Sequence, residues 1–231
     1  MKKIKTYIFG CSGIAKSIID TFKRNDCDTE RYLTIVDKDP SLAKKNYYRD
    51  VPAISMKNFE SIVRNNENFI IAFFKPENIL NRLEFAKYLT SKFGLLPTTF
   101  VDKNAIISPS AVIRKGCYIG PNVIVDSDAV IGENTTILFN SVISRECYIA
   151  ENNFISANVV VKGGVSIGQS NFISASCNVL KNLGTCNFLN AGVRYADKDI
   201  NSRIIFYPSE KKEIIISNNA SAALRQLRFL S

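Results

Sequence analysis

Residues 101–143 read VDKNAIISPSAVIRKGCYIGPNVIVDSDAVIGENTTILFNSVI, and 144–179 continue SRECYIAENNFISANVVVKGGVSIGQSNFISASCNV. An aliphatic residue returns at every sixth position from Val101 through Ile107, Ile113, Ile119 and onward to Val179, without a miss. Four residues after each comes a second, usually small side chain: Ala105, Ala111, Cys117, Val123, Ala129, continuing to Cys177. Neither a helical period nor simple alternation gives a strict period of six. A stack of short strands joined by corners does, because every coil buries one aliphatic column per face. The middle of the chain is therefore expected to be a parallel β-helix of hexapeptide repeats.

The chain has 231 residues, enough for two modest domains, and its 46% hydrophobic and 22% charged content is that of an ordinary globular protein. No run approaches the roughly 18 apolar residues of a membrane span. The basic opening Met1-Lys2-Lys3 is followed by an apolar run too short for a signal peptide, so the expected location is cytoplasmic, with no membrane partner. The net charge is +9, but the lysines and arginines are scattered, with no long basic block and no recognition motif. That argues against nucleic acid and suits anionic small molecules. Three of six cysteines, Cys117, Cys147 and Cys177, fall in the small column and read as compact hydrophobes. There is no histidine. The commonest neutral-pH base and the commonest metal ligand are thus missing, and no metal site is expected.

Residues 1–97 read as a small Rossmann-like α/β unit. Lys5 to Phe9 is a strand, followed by Gly10-Cys11-Ser12-Gly13 and an amphipathic helix with Ile14, Ile18, Ile19 and Phe22 on one face. Tyr32 to Val36 and the apolar Phe69 to Phe74 read as further strands, and about Pro76 to Phe93 as a helix. Alternating strands and helices imply a parallel doubly wound sheet, with ligands at the carboxyl ends of the strands. Pro97 is the natural boundary. The repeat domain is expected over 98–200, losing register after Leu183. A tail over 201–231 carries two β-like stretches and a capped helix from Ala220 to Leu230.

A glycine-bearing turn between strand and helix lets backbone N–H groups approach an anion. Asp37, ending the next strand, can accept from a ribose or a base edge, with Lys38 beside it. The full dinucleotide fingerprint is absent, so a bound NAD is not expected. Gly10, Cys11, Ser12, Gly13, Asp37 and Lys38 are the candidate substrate-binding set, with a plain tight turn as the competing explanation.

The stretches Tyr7-Ile-Phe-Gly-Cys-Ser-Gly-Ile-Ala-Lys16, Ser144-Arg-Glu-Cys-Tyr-Ile149 and Lys162-Gly-Gly-Val-Ser-Ile-Gly168 resemble the NeuD/PglD family of bacterial sugar acyltransferases. The likeness extends over residues 1 to about 210. It implies a left-handed coil, a homotrimer, a nucleotide-linked sugar held by the N-terminal domain, and acetyl-CoA or another acyl-CoA lying between neighbouring β-helices. On this basis Ser156, Gly163, Gly164 and Pro208 are the candidate coenzyme contacts.

The departures gather where the chemistry should be. Arg145-Glu146 stands where the family usually has a histidine–acid pair, and Phe154, Leu138-Phe139 and Ile14 replace other polar family residues. Arg145 stays protonated and can only bind an anion or stabilise an oxyanion. Glu146 can serve as a base if burial raises its pKa, or it can simply pair with Arg145. An amine is partly neutral near physiological pH and needs less activation than a hydroxyl. The resemblance with this altered pocket therefore implies acyl transfer to the amine of a nucleotide-linked amino sugar, for surface glycan synthesis. A non-catalytic binding or assembly homologue, an O-acyltransferase, and a different acyl donor remain as alternatives.

Overall fold

The computed structural model describes residues 4–25, 32–39, 41, 47–48, 50–76, 79–196 and 205–206. Strands β1 (Thr6–Phe9), β2 (Leu33–Asp37), β3 (Tyr47–Tyr48), β4 (Val51–Ser55), β5 (Asn68–Ile71) and β6 (Leu96–Pro97) form one sheet in the order β3-β4-β2-β1-β5-β6. All its pairings are parallel except β3 with β4. Helices α1 (Gly13–Arg24), α2 (Met56–Ile62) and α3 (Ile79–Phe93) flank it.

β1 is buried along its length because alternate side chains serve two cores. Tyr7 and Phe9 pack with Phe59, Phe69, Ala86 and Leu89 on the α2–α3 side. Ile8 packs with Ile18, Ile19, Leu33 and Ile70 on the α1 side. Helix α1 begins at Ser12, whose Oγ accepts from the Ile14 N–H at 3.2 Å, and ends on Lys23 and Arg24, complementing the helix dipole.

The apolar run predicts a third strand as far as Phe74, but β5 stops at Ile71. Phe73 and Phe74 leave the ladder to pack sideways, Phe74 against Phe154 with ring centroids 4.7 Å apart. Neither β4 nor α2 stands out in the sequence pattern. Pro52 disguises β4, and its missing N–H is tolerated because only the two-residue β3 lies beyond it.

From Phe100 the chain coils into a left-handed parallel β-helix. Each two-residue strand pairs with the one a full coil later: Tyr118 with Thr136, Ile124 with Val142, Val130 with Tyr148. The first face starts at Phe100–Val101, the second at Ile106–Ile107 and the third at Val112–Ile113. The aliphatic column and the small column meet inside, where residues from Ile119 to Val179 form one core. The register shortens at the C-terminal side, with Phe172 pairing with Phe188 and Ile173 with Leu189. The loss of the aliphatic hexad after Leu183 is therefore a shortened coil and not the end of the stack. The tail readings over 207–231 lie outside the described residues.

Two further regularities hold the coils. Every sixth residue from Gly116 to Ser176 has a positive φ at a corner, and most of these positions are Asn, Asp or Gly, which adopt it readily. Inside one corner, buried Asn153, Asn171 and Asn187 form a ladder. Asn171 Nδ2 donates to Asn153 Oδ1 at 3.1 Å, and Asn187 Nδ2 donates to Asn171 Oδ1 at 3.0 Å.

The first face is covered by the N-terminal domain of the same chain: its outward Phe100, Tyr118 and Phe154 share a core with Ile18, Ile19 and Ile79. Polar clasps join the two parts. Arg24 Nη2 lies 2.6 Å from Asp102 Oδ2, and Thr21 Oγ1 donates to the same oxygen at 2.9 Å. Burial pushes the Asp102 carboxyl up, but hydrogen bonds from Arg24, the Asn104 N–H and Thr21 together hold it below the usual carboxylate range. On α3, buried Arg82 donates to the Asn134 carbonyl at 3.1 Å and stacks on Phe74.

Candidate functional site

The first candidate region lies at the carboxyl end of β1, where the order of the sheet reverses between β1 and β5. The chain makes a tight exit there. Gly10 has φ +100° and donates to the Val36 carbonyl at 2.9 Å. A Cβ at Gly10 would come within 3.1 Å of Phe73 Cβ and N. Ser12 Oγ donates to the Ala72 carbonyl, strapping the turn across to β5.

Asp37 is aimed by backbone. The Cys11 N–H donates to Oδ2 at 2.8 Å and the Asp39 N–H to Oδ1 at 2.9 Å. The Cys11 thiol is pushed up to about 11, by burial first and by Asp37 second, so it stays neutral and is not a nucleophile.

A cavity of about 530 Å³ opens beneath this turn, and Gly10, Asp37 and Lys38 of the sequence-derived set line it. Cys11, Ser12 and Gly13 do not; they form the turn that borders it. Gly13 has open space where a Cβ would stand and an ordinary φ, so glycine is needed at position 10 and not at 13. Phe9 and Val36 also line it, and the remaining wall, which the sequence pattern does not single out, is Met56, Glu60, Phe73, Asn81, Phe85 and Tyr88. These come from the end of β5 and from α2 and α3, whose polar residues look in the sequence like solvated helix faces.

The second region is the corner between the second and third faces of the β-helix. It brings together Arg145, Glu146, Gly163 and Gly164. The Gly164 N–H donates to the Arg145 carbonyl at 3.0 Å, and a Cβ on Gly163 would meet Arg145 Cγ at 3.5 Å. Arg145 and Glu146 are both exposed, and among the described residues their side chains form no ion pair with each other. Glu146 has φ +59° and carries the longest side chain among the positive-φ corners. Ser156 is elsewhere, on the corner between the first and second faces, where its carbonyl accepts from Ser141 Oγ at 2.8 Å. Pro208 lies outside the described residues.

This layout has a geometric consequence. The cavity belongs to a domain seated on the first face, whereas the Arg145–Glu146 corner is the vertex opposite that face. One chain does not bring the two together. Among the described residues there is no group of three or more histidine, cysteine, aspartate or glutamate side chains that could hold a metal, and no helix long and apolar enough to cross a membrane.

Fold and repeat together define the class: a left-handed hexapeptide-repeat β-helix carrying an N-terminal α/β domain. The model of the bacterial transferase hexapeptide (six repeats) family matches residues 110–145. Among solved structures, the chain is similar to perosamine N-acetyltransferase from Caulobacter crescentus, solved as a histidine-to-asparagine variant with CoA and GDP-perosamine. The identity is 20% and the TM-score 0.72, covering 87% of this chain and 93% of that one. It is also similar to the acetyltransferase domain of PglB from Neisseria gonorrhoeae with acetyl coenzyme A, at 16% identity and TM-score 0.74, covering 87% and 95%. WeeI from Acinetobacter baumannii matches at 15% and 0.68, covering 91% and 99%. No curated protein sequence matches the chain. The structural likeness thus extends across both parts of the fold.

Proposed function

We propose that this protein transfers an acyl group, acetyl in the first instance, from acyl-CoA to the amine of a nucleotide-linked amino sugar for surface glycan synthesis. The observation that carries this is the cavity at the sheet's switch point, ending on a backbone-aimed Asp37, in a domain clasped to a hexapeptide β-helix. The similar folds that hold CoA with GDP-perosamine, or acetyl coenzyme A, support it.

In this reading the N-terminal domain holds the nucleotide and the sugar amine reaches a β-helix corner. The neutral amine attacks the thioester carbonyl, the C–N bond forms, and the C–S bond breaks as the thiolate departs. Arg145 stabilises the developing oxyanion or an anionic group of the substrate. Glu146 accepts the proton lost from nitrogen late in the step, as water can, and the thiolate is reprotonated from solvent. Gly163 and Gly164 let the coenzyme approach the backbone beside them, and Ser156 and Pro208 complete its contacts.

The opposed positions of cavity and corner call for a neighbouring copy. One prism face is covered, and the other two carry exposed apolar residues, Ile106 and Val160 on the second and Val112 and Tyr148 on the third. Contact between two different faces is heterologous, and in the trimer that the family resemblance implies it closes as a ring that brings one chain's corner to the next chain's domain. Such a neighbour would also provide the burial that Glu146 lacks in a single chain. The site of action is the cytoplasm, where acyl-CoA and nucleotide sugars are made.

Mass spectrometry of products, after incubation with acetyl-CoA and a panel of nucleotide-linked amino sugars, tests the reading. An acetyl mass gain on one sugar is the expected result; no gain on any, with no CoA binding, would move the assignment to a non-catalytic binding protein. The absence of histidine and the solvent exposure of Arg145 and Glu146 favour that second reading.

A further inference from the structure

The cavity also carries information about which base it takes. Its wall is soft and largely aromatic: Phe85 and Tyr88 stand nearly parallel, 21° apart with centroids at 6.1 Å, and Phe73 and Met56 lie nearby. Flat rings and a thioether stack on any nucleobase and do not choose among them. The choice falls to the polar lining, where two carboxylates, Asp37 and Glu60, enter the same cavity.

A carboxylate only accepts hydrogen bonds. Asp37 ends β2 beside the turn and is fixed by two backbone N–H groups, which places it for the ribose hydroxyls. Of the remaining polar lining, Lys38 donates and Asn81 and Tyr88 can donate or accept, so Glu60, on α2, is the one carboxylate left for the base. Lys92 Nζ lies 3.4 Å from its Oε1 and Tyr88 Oη lies 3.5 Å from the same atom, so Oε2 has no partner among the described residues.

The geometry points to a guanine nucleotide as the ligand, its base edge read by the Glu60 carboxylate; this rests on the nucleotide-site reading above. Guanine is the one common base with two adjacent donors on its edge, the ring N–H and the exocyclic amino group, which match the two oxygens of a carboxylate. Uracil presents carbonyl oxygens on both sides of its single N–H, and these face Glu60 with like charge. Adenine and cytosine each offer one amino group beside an acceptor nitrogen, so one of the two contacts becomes repulsive.

Calorimetric titration of the full chain with GDP, ADP, CDP and UDP tests this, with Glu60→Gln as the comparison. GDP is expected to bind at least about tenfold more tightly than UDP, the worth of one charge-assisted hydrogen bond. Glu60→Gln should weaken GDP about tenfold while leaving UDP unchanged or tighter. UDP binding as tightly as GDP, or a GDP-to-UDP ratio untouched by Glu60→Gln, overturns the guanine assignment and leaves the nucleotide site standing. Binding of none of the four overturns both.

Discussion

Arg82 Nη1 donates to Asn152 Oδ1 at 2.8 Å, joining a helix of the α/β domain to a corner of the β-helix. The guanidinium is buried, and among the described residues no carboxylate pairs with it and Nε has no hydrogen-bond partner. Burial pushes its pKa down to about 9, so it remains a cation at neutral pH. Asn152 completes the joint, donating from Nδ2 to the Ile79 carbonyl at 2.8 Å and to Ser170 Oγ at 3.0 Å. Arg82→Ala orphans two buried acceptors and leaves a void, and should lower stability by about 2–4 kcal/mol in denaturant melts. Arg82→Met fills much of the void and should lose less.

Gly10→Ala places a Cβ against Phe73 at a positive φ, where alanine is strained as well as crowded. A loss of about 1–3 kcal/mol is expected, with weaker nucleotide binding by titration. Gly13→Ala, which has room, should alter neither by a measurable amount.

Glu146→Gly exchanges a long side chain for the residue that best suits φ +59°. Thermal unfolding should show a gain of about 0.5–1 kcal/mol. If Glu146 takes the proton, kcat for the acetyl transfer should fall about 100-fold in the same variant. A more stable but slower protein would identify the strained corner as one kept for chemistry. A more stable and equally fast one would remove Glu146 from the mechanism.

Asp102 gives the protein an acid-sensitive joint. Its folded-state pKa lies below the ordinary carboxylate value, so it contributes stability that is full above that value and is lost as pH falls through the folded one. Asp102→Asn should be less stable at neutral pH by about 1–3 kcal/mol, because the charge-assisted bonds to Arg24 and Thr21 go. The difference from the parent should shrink below about pH 4. Urea melts at pH 7 and pH 3 compare the two.

Asn171→Ala breaks the interior ladder: the bonds from Asn187 N–H and Nδ2 to Asn171 Oδ1 and from Asn171 Nδ2 to Asn153 Oδ1 go, while Asn153 Oδ1 keeps the N–H of residue 171 and Asn187 Nδ2 keeps the Thr185 carbonyl. About 2–4 kcal/mol should be lost. Nucleotide affinity should be unchanged, since the ladder is remote from the Asp37 cavity.

The β-helix was legible because its physics is one-dimensional: each coil buries the same column, and the period of six is written in consecutive residues from Val101 to Val179. The turn with Gly10 and Asp37 was legible for a similar reason, since strand, turn and strand end lie close in sequence. Glu60, Phe85 and Tyr88 were not. They converge on the cavity only after α2 and α3 pack on the sheet, and nothing local separates a helix face that meets a cleft from one that meets water. Arg82 escaped notice because the sequence gives a cation in an amphipathic helix no mark of burial. Asn153 and Asn171 stand in the small column, Asn187 falls outside its six-residue spacing, and their mutual bonding depends on coils stacking in register.

The clasps at Asp102 and Asn152 join the α/β domain to the earlier coils, whereas among the described residues the last coils pair with one another and with the strand Ile205–Phe206. In a stack of this kind, opening proceeds inward from the end with fewer clasps to the neighbouring domain. Backbone amides around Phe188 and Tyr195 should therefore exchange with deuterated solvent well before those around Ile119 and Ile137, producing a protection gradient along the axis that rises toward the clasped end.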